Sequence, residues 1–314
     1  MRTAIIDIGT NTFNLMIVEL SRTQGYKIIY RQKLPSKLGK GGINQDTITP
    51  AAFKRGLHAL KFHKDTIGKF GASGIYAYAT SAVRCADNGC EFVDCVRREL
   101  GIEIRVISGE EEAELVCYGI RQAVPLTDER VLMLDIGGGS NEFIIADKDD
   151  IFWKQSYQLG IARVIDLFRP CEPILIAEKE AIEDYFDIKL RTLYEAVGSY
   201  PVDTLIGSSG SFATLADIIY LKKHGPGEMQ IEPYHYIDMD DYIALHDYLL
   251  TTTLADRKKI HGADQTRVEM LVIASIFIHH VIRRLNIKKM LQSRYALKEG
   301  IIAQIMDHRY EVKR

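Results

Sequence analysis

The sequence predicts an α/β protein made of two related halves that face each other across a cleft, and three observations predict it. An apolar strand running into Asp-Ile-Gly, a small polar turn and a second apolar strand occurs at Asp7 and recurs 128 positions later at Asp135. Two such turns, each near the start of a half, mark an internal duplication. Strand-like and helix-like segments alternate, and 314 residues suffice to bury two cores.

Residues 3–8 are an apolar run ending at Asp7 and Gly9, which reads as a buried strand and a turn. Residues 14–20 alternate into a second strand, closing a hairpin, and 26–32 form a third. The glycine-rich stretch 39–42 is a loop. Thr49-Pro50 opens a helix reaching about residue 70, because proline suits the first helical turn. A strand at 74–80, a helix at 91–100, a strand at 103–107 and a helix from 109 past 116 follow. The pattern then restarts with strands at 131–135 and 142–146 around Gly137-Gly138-Gly139-Ser140. Pro125 and Thr127-Asp128-Glu129 mark a boundary, predicting domains at 1–124 and 125–314, the last helix being able to pack back on the first domain. The second half is richer in helix, with a long apolar one predicted over 265–285 and His279-His280 at its edge.

A net charge of −2 excludes a globally basic nucleic-acid or polyanion binder, so a phosphate-rich ligand must meet a local positive site. No apolar run reaches membrane-spanning length, and no secretory leader pattern opens the chain. The expectation is a cytoplasmic protein without membrane or nucleic-acid partners. Five cysteines, an odd number, read as reduced thiols, and the spacing of Cys85, Cys90 and Cys95 matches no zinc site.

Four segments carry the chemistry. In Asp7-Ile8-Gly9-Thr10-Asn11-Thr12, glycine allows a tight turn, and hydroxyls with backbone amides can cradle a phosphate, although a plain hairpin turn also fits. In Asp135-Ile136-Gly137-Gly138-Gly139-Ser140, followed by Glu142, three glycines imply close approach of backbone to a ligand. Asp135 and Glu142, at the two ends of that turn, can face one metal ion or one water. Gly207-Ser208-Ser209-Gly210-Ser211 lies between a strand and a helix, where amides and the helix dipole favour an anion; serine capping alone is the alternative. Ser108-Gly109-Glu110-Glu111-Glu112-Ala113-Glu114 puts four carboxylates at a helix start, and periodicity does not decide which of them turns inward. The glycine turns and acids together read as a phosphoanhydride site whose metal, best Mg²⁺, is held by carboxylates.

At this point the residues resemble a family. Asp7 to Thr12, Ala79-Thr80-Ser81-Ala82-Val83-Arg84, Ile107-Ser108-Gly109 with Glu111-Glu112-Ala113, Asp135 to Ser140 with Glu142, Gly160 to Arg163, Gly207 to Gly210 and Ser293 to Gly300 are similar, in order, to motifs of the exopolyphosphatase / guanosine pentaphosphate phosphohydrolase family. The resemblance is to the short form, without an extra C-terminal helical region. It implies a duplicated actin-like ATPase (ribonuclease H-like) fold and Mg²⁺-dependent release of the terminal phosphate of inorganic polyphosphate, or alternatively of guanosine pentaphosphate. Glu112 would be the carboxylate acting on water, and Asp135 and Glu142 would hold Mg²⁺. Arg84 would clamp phosphate, the turns 9–12 and 137–140 would bind the chain end, and 207–211 would hold more distal phosphates. A homodimer is also implied. Lys37, Lys40, Arg163, Arg294 and Lys298 are further cations that can meet substrate, Lys298 standing where relatives often carry Arg. A small-molecule kinase of the same fold would leave the acids at 110–112 without purpose, and a non-catalytic sensor would not need the full set of acids.

Overall fold

A computed structural model describes residues 1–21, 25–225 and 232–307. The first sheet contains β1 (Arg2–Ile8), β2 (Thr12–Ser21), β3 (Gly25–Pro35), β4 (Gly74–Ala79) and β5 (Ile104–Val106), in the order β3-β2-β1-β4-β5. The second contains β6 (Val131–Ile136), β7 (Asn141–Ala146), β8 (Ile151–Tyr157), β9 (Thr204–Ser208), β10 (Tyr234–Ile237) and β11 (Lys289–Ser293), in the order β10-β11-β9-β6-β7-β8. In each, the first strand pairs antiparallel with the second and parallel with the strand after the crossover. The sheets are therefore one topology used twice, with β10 added at an edge. This is the duplicated ribonuclease H-like fold of actin-like ATPases.

Helices fill the faces. α1 (Pro50–Lys69), α2 (Ser81–Arg84) and α3 (Gly89–Leu100) belong to the first sheet. Thr49 caps α1 by accepting from the Ala52 amide, with Pro50 in the first turn. α4 (Gly109–Ala123) follows; then α5 (Ile161–Phe168), α6 (Ile176–Lys189), α7 (Arg191–Ser199), α8 (Ser209–His224), α9 (Met239–Leu250), α10 (Leu254–Arg257), α11 (Leu271–Leu285) and α12 (Leu297–Met306). α4 packs on β7 and β8, α12 packs on α4 and β1, and both share a core with Ile5, Met16, Met133 and Ile144 from the two sheets. The two helices approach closely because Gly119 faces the Ala296 carbonyl and Gly300 faces that of Leu115, where any side chain would clash. This layer joins the halves behind the cleft.

Two expectations need correction. The helix predicted over 265–285 begins only at Leu271, because Asp264 diverts the chain: its carboxylate accepts from the Thr266 amide and hydroxyl. Its backbone carbonyl takes the amides of Arg267 and Val268, making turns instead of a helix. His279 and His280, expected at a helix edge, pack inward. His279 stacks on His246 with ring centres 4.1 Å apart, and His280 Nε2 lies 3.1 Å from Asp187 in a buried setting. Among the described residues, no helix is long and apolar enough to cross a membrane.

Candidate active site

The two Asp-containing hairpins point their turns at one cleft of about 420 Å³. Each turn closes in the same way, the Gly9 amide donating to Thr12 O at 3.2 Å and the Gly137 amide to Ser140 O at 3.0 Å. They nearly touch: a Cβ on Gly138 would lie 2.7 Å from Asn11 Nδ2, and one on Gly139 would lie 2.6 Å from both Thr10 Oγ1 and Ser81 Oγ. The glycines are thus required by the opposite turn, whose side chains occupy that space, as well as by any ligand.

The orientation of the second turn is fixed from behind. The carbonyls of Gly137 and Gly138 accept from the amides of Ile161 and Ala162 at the start of α5, at 3.0 and 2.9 Å, and that of Gly139 accepts from Arg163 Nε at 2.9 Å. Across a trans peptide the N–H points opposite to the C=O. The amides of Gly138, Gly139 and Ser140 therefore face away from α5, toward the cleft, as a row of donors suited to phosphate oxygens.

The helix-start acids sort clearly. Glu111 pairs with Arg105 at 2.5 Å and Glu114 with Lys154 at 2.8 Å, while Glu110 is exposed. Only Glu112 turns into the cleft, 7% exposed. Arg84 NH1 donates to Glu112 Oε2 at 2.8 Å and to the Ile107 carbonyl at 3.0 Å, and its NH2 lies 3.4 Å from Ser140 Oγ. Burial pushes the Glu112 carboxyl well above the usual range; the Glu142 charge adds to this and the Arg84 guanidinium opposes it. The Arg84 guanidinium thus holds the Glu112 carboxylate and reaches the cleft-lining Ser140 with its other nitrogen.

Asp135 and Glu142 are direct cross-strand partners on β6 and β7, so both side chains share one face of the sheet. Ser208 and Ser209 both donate to Asp135 Oδ1, the latter at 2.6 Å. Burial raises the Asp135 carboxyl against these hydroxyls and the charges of Lys298 and Arg267. Ser156 donates to Glu142 Oε1 at 2.7 Å, whereas Oε2 is buried without a hydrogen-bond partner. Burial, then the Asp135 charge, pushes Glu142 up to about 7, against the hydroxyls of Ser140 and Ser156 and the Arg84 charge. Asp7 is also raised by burial, opposed by Lys298 and by the Asn14 amide, which donates to it at 2.8 Å.

The serine-rich segment divides. Ser209, Gly210 and Ser211 line the cleft, but Gly207 and Ser208 do not. Gly207 is pressed against the Phe212 ring, so its missing side chain makes room for core packing rather than for phosphate. Ser209 adopts φ +66, an unusual value for a residue with a Cβ, while its hydroxyl reaches Asp135. Arg294 and Lys298 line the cleft as expected, Arg294 bonded to Asp217 at 2.9 Å. Lys37 and Lys40 line a neighbouring hollow, Lys37 being bonded to Glu269 at 3.0 Å, and Arg163 is buried behind turn 137–140.

A model of the Ppx/GppA phosphatase family matches residues 17–309. The chain belongs to this family. It is a phosphoanhydride hydrolase. It is similar to exopolyphosphatase 1 of Mycobacterium tuberculosis, at 27% identity over 98% of this chain and 89% of the relative, and to a putative exopolyphosphatase of Haemophilus influenzae, at 27% over 95% and 90%. Among solved structures, an exopolyphosphatase from Cytophaga hutchinsonii superposes with a TM-score of 0.94 at 34% identity, covering 98% of both chains. The Aquifex aeolicus Ppx/GppA family member gives 0.80 at 22%, covering 99% of both, which supports the fold.

Several cleft residues of this Ppx/GppA enzyme had no sequence signal. Arg31, Lys33 and Arg267 line the cleft. Arg31 and Lys33 come from an outer strand that reads as an ordinary amphipathic run, and Arg267 from the turns taken as helix. Lys33 is bonded to Asp264, and Arg31 lies 3.1 Å from Glu299. Gly210 is open to Arg267, whose guanidinium occupies the space a side chain there would need.

Proposed function

We propose that this enzyme removes the terminal phosphate of inorganic polyphosphate, with Glu112 acting on the attacking water and the two hairpin turns holding the chain end. The observation that carries the reading is the inward Glu112. It alone among its neighbouring acids lines the cleft, beside a row of amides from turn 137–140. The exopolyphosphatase names of the relatives support polyphosphate as the substrate class.

Terminal phosphate oxygens would accept from the amides of Gly138, Gly139 and Ser140 and from the Thr10 hydroxyl. Glu112, with its affinity for protons raised by burial and its orientation fixed by Arg84, would accept the proton of the water as it attacks phosphorus. Lys33, Arg267, Arg294 and Lys298, which also line the cleft, would offset charge on the rest of the chain.

Mg²⁺ fits the residues present. Asp135 lines the cleft, and its neighbour Glu142 offers a buried oxygen without a partner, a situation that a cation relieves. No cluster of three His, Cys, Asp or Glu side chains able to hold a metal occurs among the described residues, so water and substrate oxygens would complete the shell, as Mg²⁺ prefers. Bound there, the ion would neutralise non-bridging phosphate oxygens.

The test is phosphate release with Mg²⁺ from long polyphosphate, short polyphosphate, guanosine pentaphosphate and ATP, measured side by side. Polyphosphate is expected to lead. Release chiefly from guanosine pentaphosphate would replace the substrate and keep the site. Tight binding without release from any of them would turn the reading into that of a sensor.

A further inference from the structure

We infer that Arg163 is a positioning residue that couples closure of the two halves to the orientation of the phosphate-facing amides. Its guanidinium is buried and spans two halves of the molecule. Nε donates to Gly139 O at 2.9 Å, which turns the Ser140 amide toward the cleft. NH1 donates to the Ile43 carbonyl, and NH2 lies 3.6 Å from Asp46, both in the first half. Asn44, between them, donates back to the Arg163 carbonyl at 3.1 Å and to Asp166 at 2.9 Å.

The same first-half segment also holds the other turn, because the Gly39 amide donates to Thr10 O at 3.1 Å. A continuous path of hydrogen bonds thus runs from one phosphate turn through 39–46 and Arg163 to the other. Separating the halves must break the contacts to Ile43, Asn44 and Asp46, which frees the fork that orients Gly139. Arg is suited to this task because its planar fork spreads donors over separate nitrogens aimed at both carbonyls; lysine offers its three donors from one point on a flexible stem. None of these contacts touches the reacting atoms, so the effect belongs to geometry at the turn.

The test compares wild type with Arg163→Gln, Arg163→Lys, Asn44→Ala, Asp46→Asn and the Arg163→Gln/Asn44→Ala double variant. Kinetic readout rests on the phosphohydrolase reading above and uses whichever substrate the wild type cleaves. Arg163→Gln is expected to lower kcat by about 10- to 100-fold, the scale of an ångström-level misplacement, with KM held within about threefold. Arg163→Lys is not expected to rescue it, and the effects of Arg163→Gln and Asn44→Ala should be non-additive. Hydrogen–deuterium exchange supplies a readout that needs no activity: Asn44→Ala, in the first half, should speed exchange in 137–141 of the second. Failure of all substrates would remove the substrate assignment and leave this exchange prediction standing. If Arg163→Gln lowers only the melting temperature, or if Asn44→Ala and Asp46→Asn leave both kcat and exchange in 137–141 unchanged, the coupling is wrong. The two first-half variants decide the matter even if Arg163→Gln does not fold.

Discussion

Glu142→Gln should stabilise the metal-free protein at pH 8 and do so far less at pH 5. Glu142 is 1% exposed, and its carboxyl rises from an ordinary 4.5 to about 7. The native state therefore keeps a proton that the unfolded chain has released. The associated stability is fully present below pH 4.5, declines as pH rises, and is lost above about 7. Such a shift corresponds to roughly 3 kcal/mol, which in a chain of this size is a melting difference of about 5 °C. Glutamine keeps the acceptor for Ser156 and removes the charge beside Asp135 and Glu112. The assay is thermal melting of both proteins in chelator from pH 5 to pH 8, followed by addition of Mg²⁺. The gap should open across pH 4.5–7 and narrow when Mg²⁺ is added, because the ion stabilises only the protein that retains the carboxylate. A variant less stable than wild type at pH 8, or a gap independent of pH, would refute the account of Glu142 as a buried, uncompensated charge.

Other outcomes follow from the same geometry. Glu112→Gln should reduce kcat by about 10²- to 10⁴-fold while polyphosphate binding, followed by calorimetry, changes little. Gly139→Ala should cost about 1–3 kcal/mol in denaturant melts, since its Cβ would lie 2.6 Å from Thr10 Oγ1 and Ser81 Oγ; adding Ser81→Ala should recover part of that loss. Removing divalent cations with EDTA should abolish phosphate release, and Mg²⁺ should restore it in wild type but not in Asp135→Asn. Arg294→Ala should raise KM more than it lowers kcat, because Arg294 is one of the cations lining the cleft and its guanidinium is bonded to Asp217 rather than to Glu112.

The parts of the fold that were legible are those in which local pattern and tertiary outcome agree. The Asp7 and Asp135 hairpins could be read because in each an apolar first strand runs into Asp-Ile-Gly and a short turn leads to a second strand. The helix at 50–69 could be read from its cap. The error over 265–270 arose because the backbone there follows a single side chain, Asp264, whose competing hydrogen bonds leave no periodic trace. In the site, the four acids at 110–114 did not reveal which one turns inward; the family resemblance singled out Glu112, and the partners of Glu111 and Glu114 explain why it is the one facing inward. Arg31, Lys33 and Arg267 were illegible for a related reason: each is an unremarkable cation in sequence, given its place by a strand edge or a turn that long-range packing sets. Gly207 misled in the opposite direction, since glycine demanded by a phenylalanine ring looks the same as glycine demanded by a phosphate.

The duplication also explains why the chemistry is one-sided. Position for position, Gly9 to Thr12 corresponds to Gly137 to Ser140, and Asn14 opposite Asp7 corresponds to Glu142 opposite Asp135. A strict repeat would place two acid pairs on facing turns, and four buried carboxylates around one small cleft would repel one another and any phosphate. At the position equivalent to Glu142 the first half carries an amide, Asn14, that donates to Asp7. It has also kept side chains, Thr10 and Asn11, where the second half has glycines, and those side chains fill the space the glycines leave. One turn therefore supplies hydroxyls and contact surface while the other supplies amides and a candidate cation site. Glu112 comes from neither turn. It stands on α4, the helix that leaves the first sheet to pack on the second, so the carboxylate proposed to act on water reaches the cleft from the layer that joins the halves. Its position relative to both turns consequently depends on how the halves are set together, which is the ground for the proposal that contacts remote from it, such as those of Arg163, govern turnover.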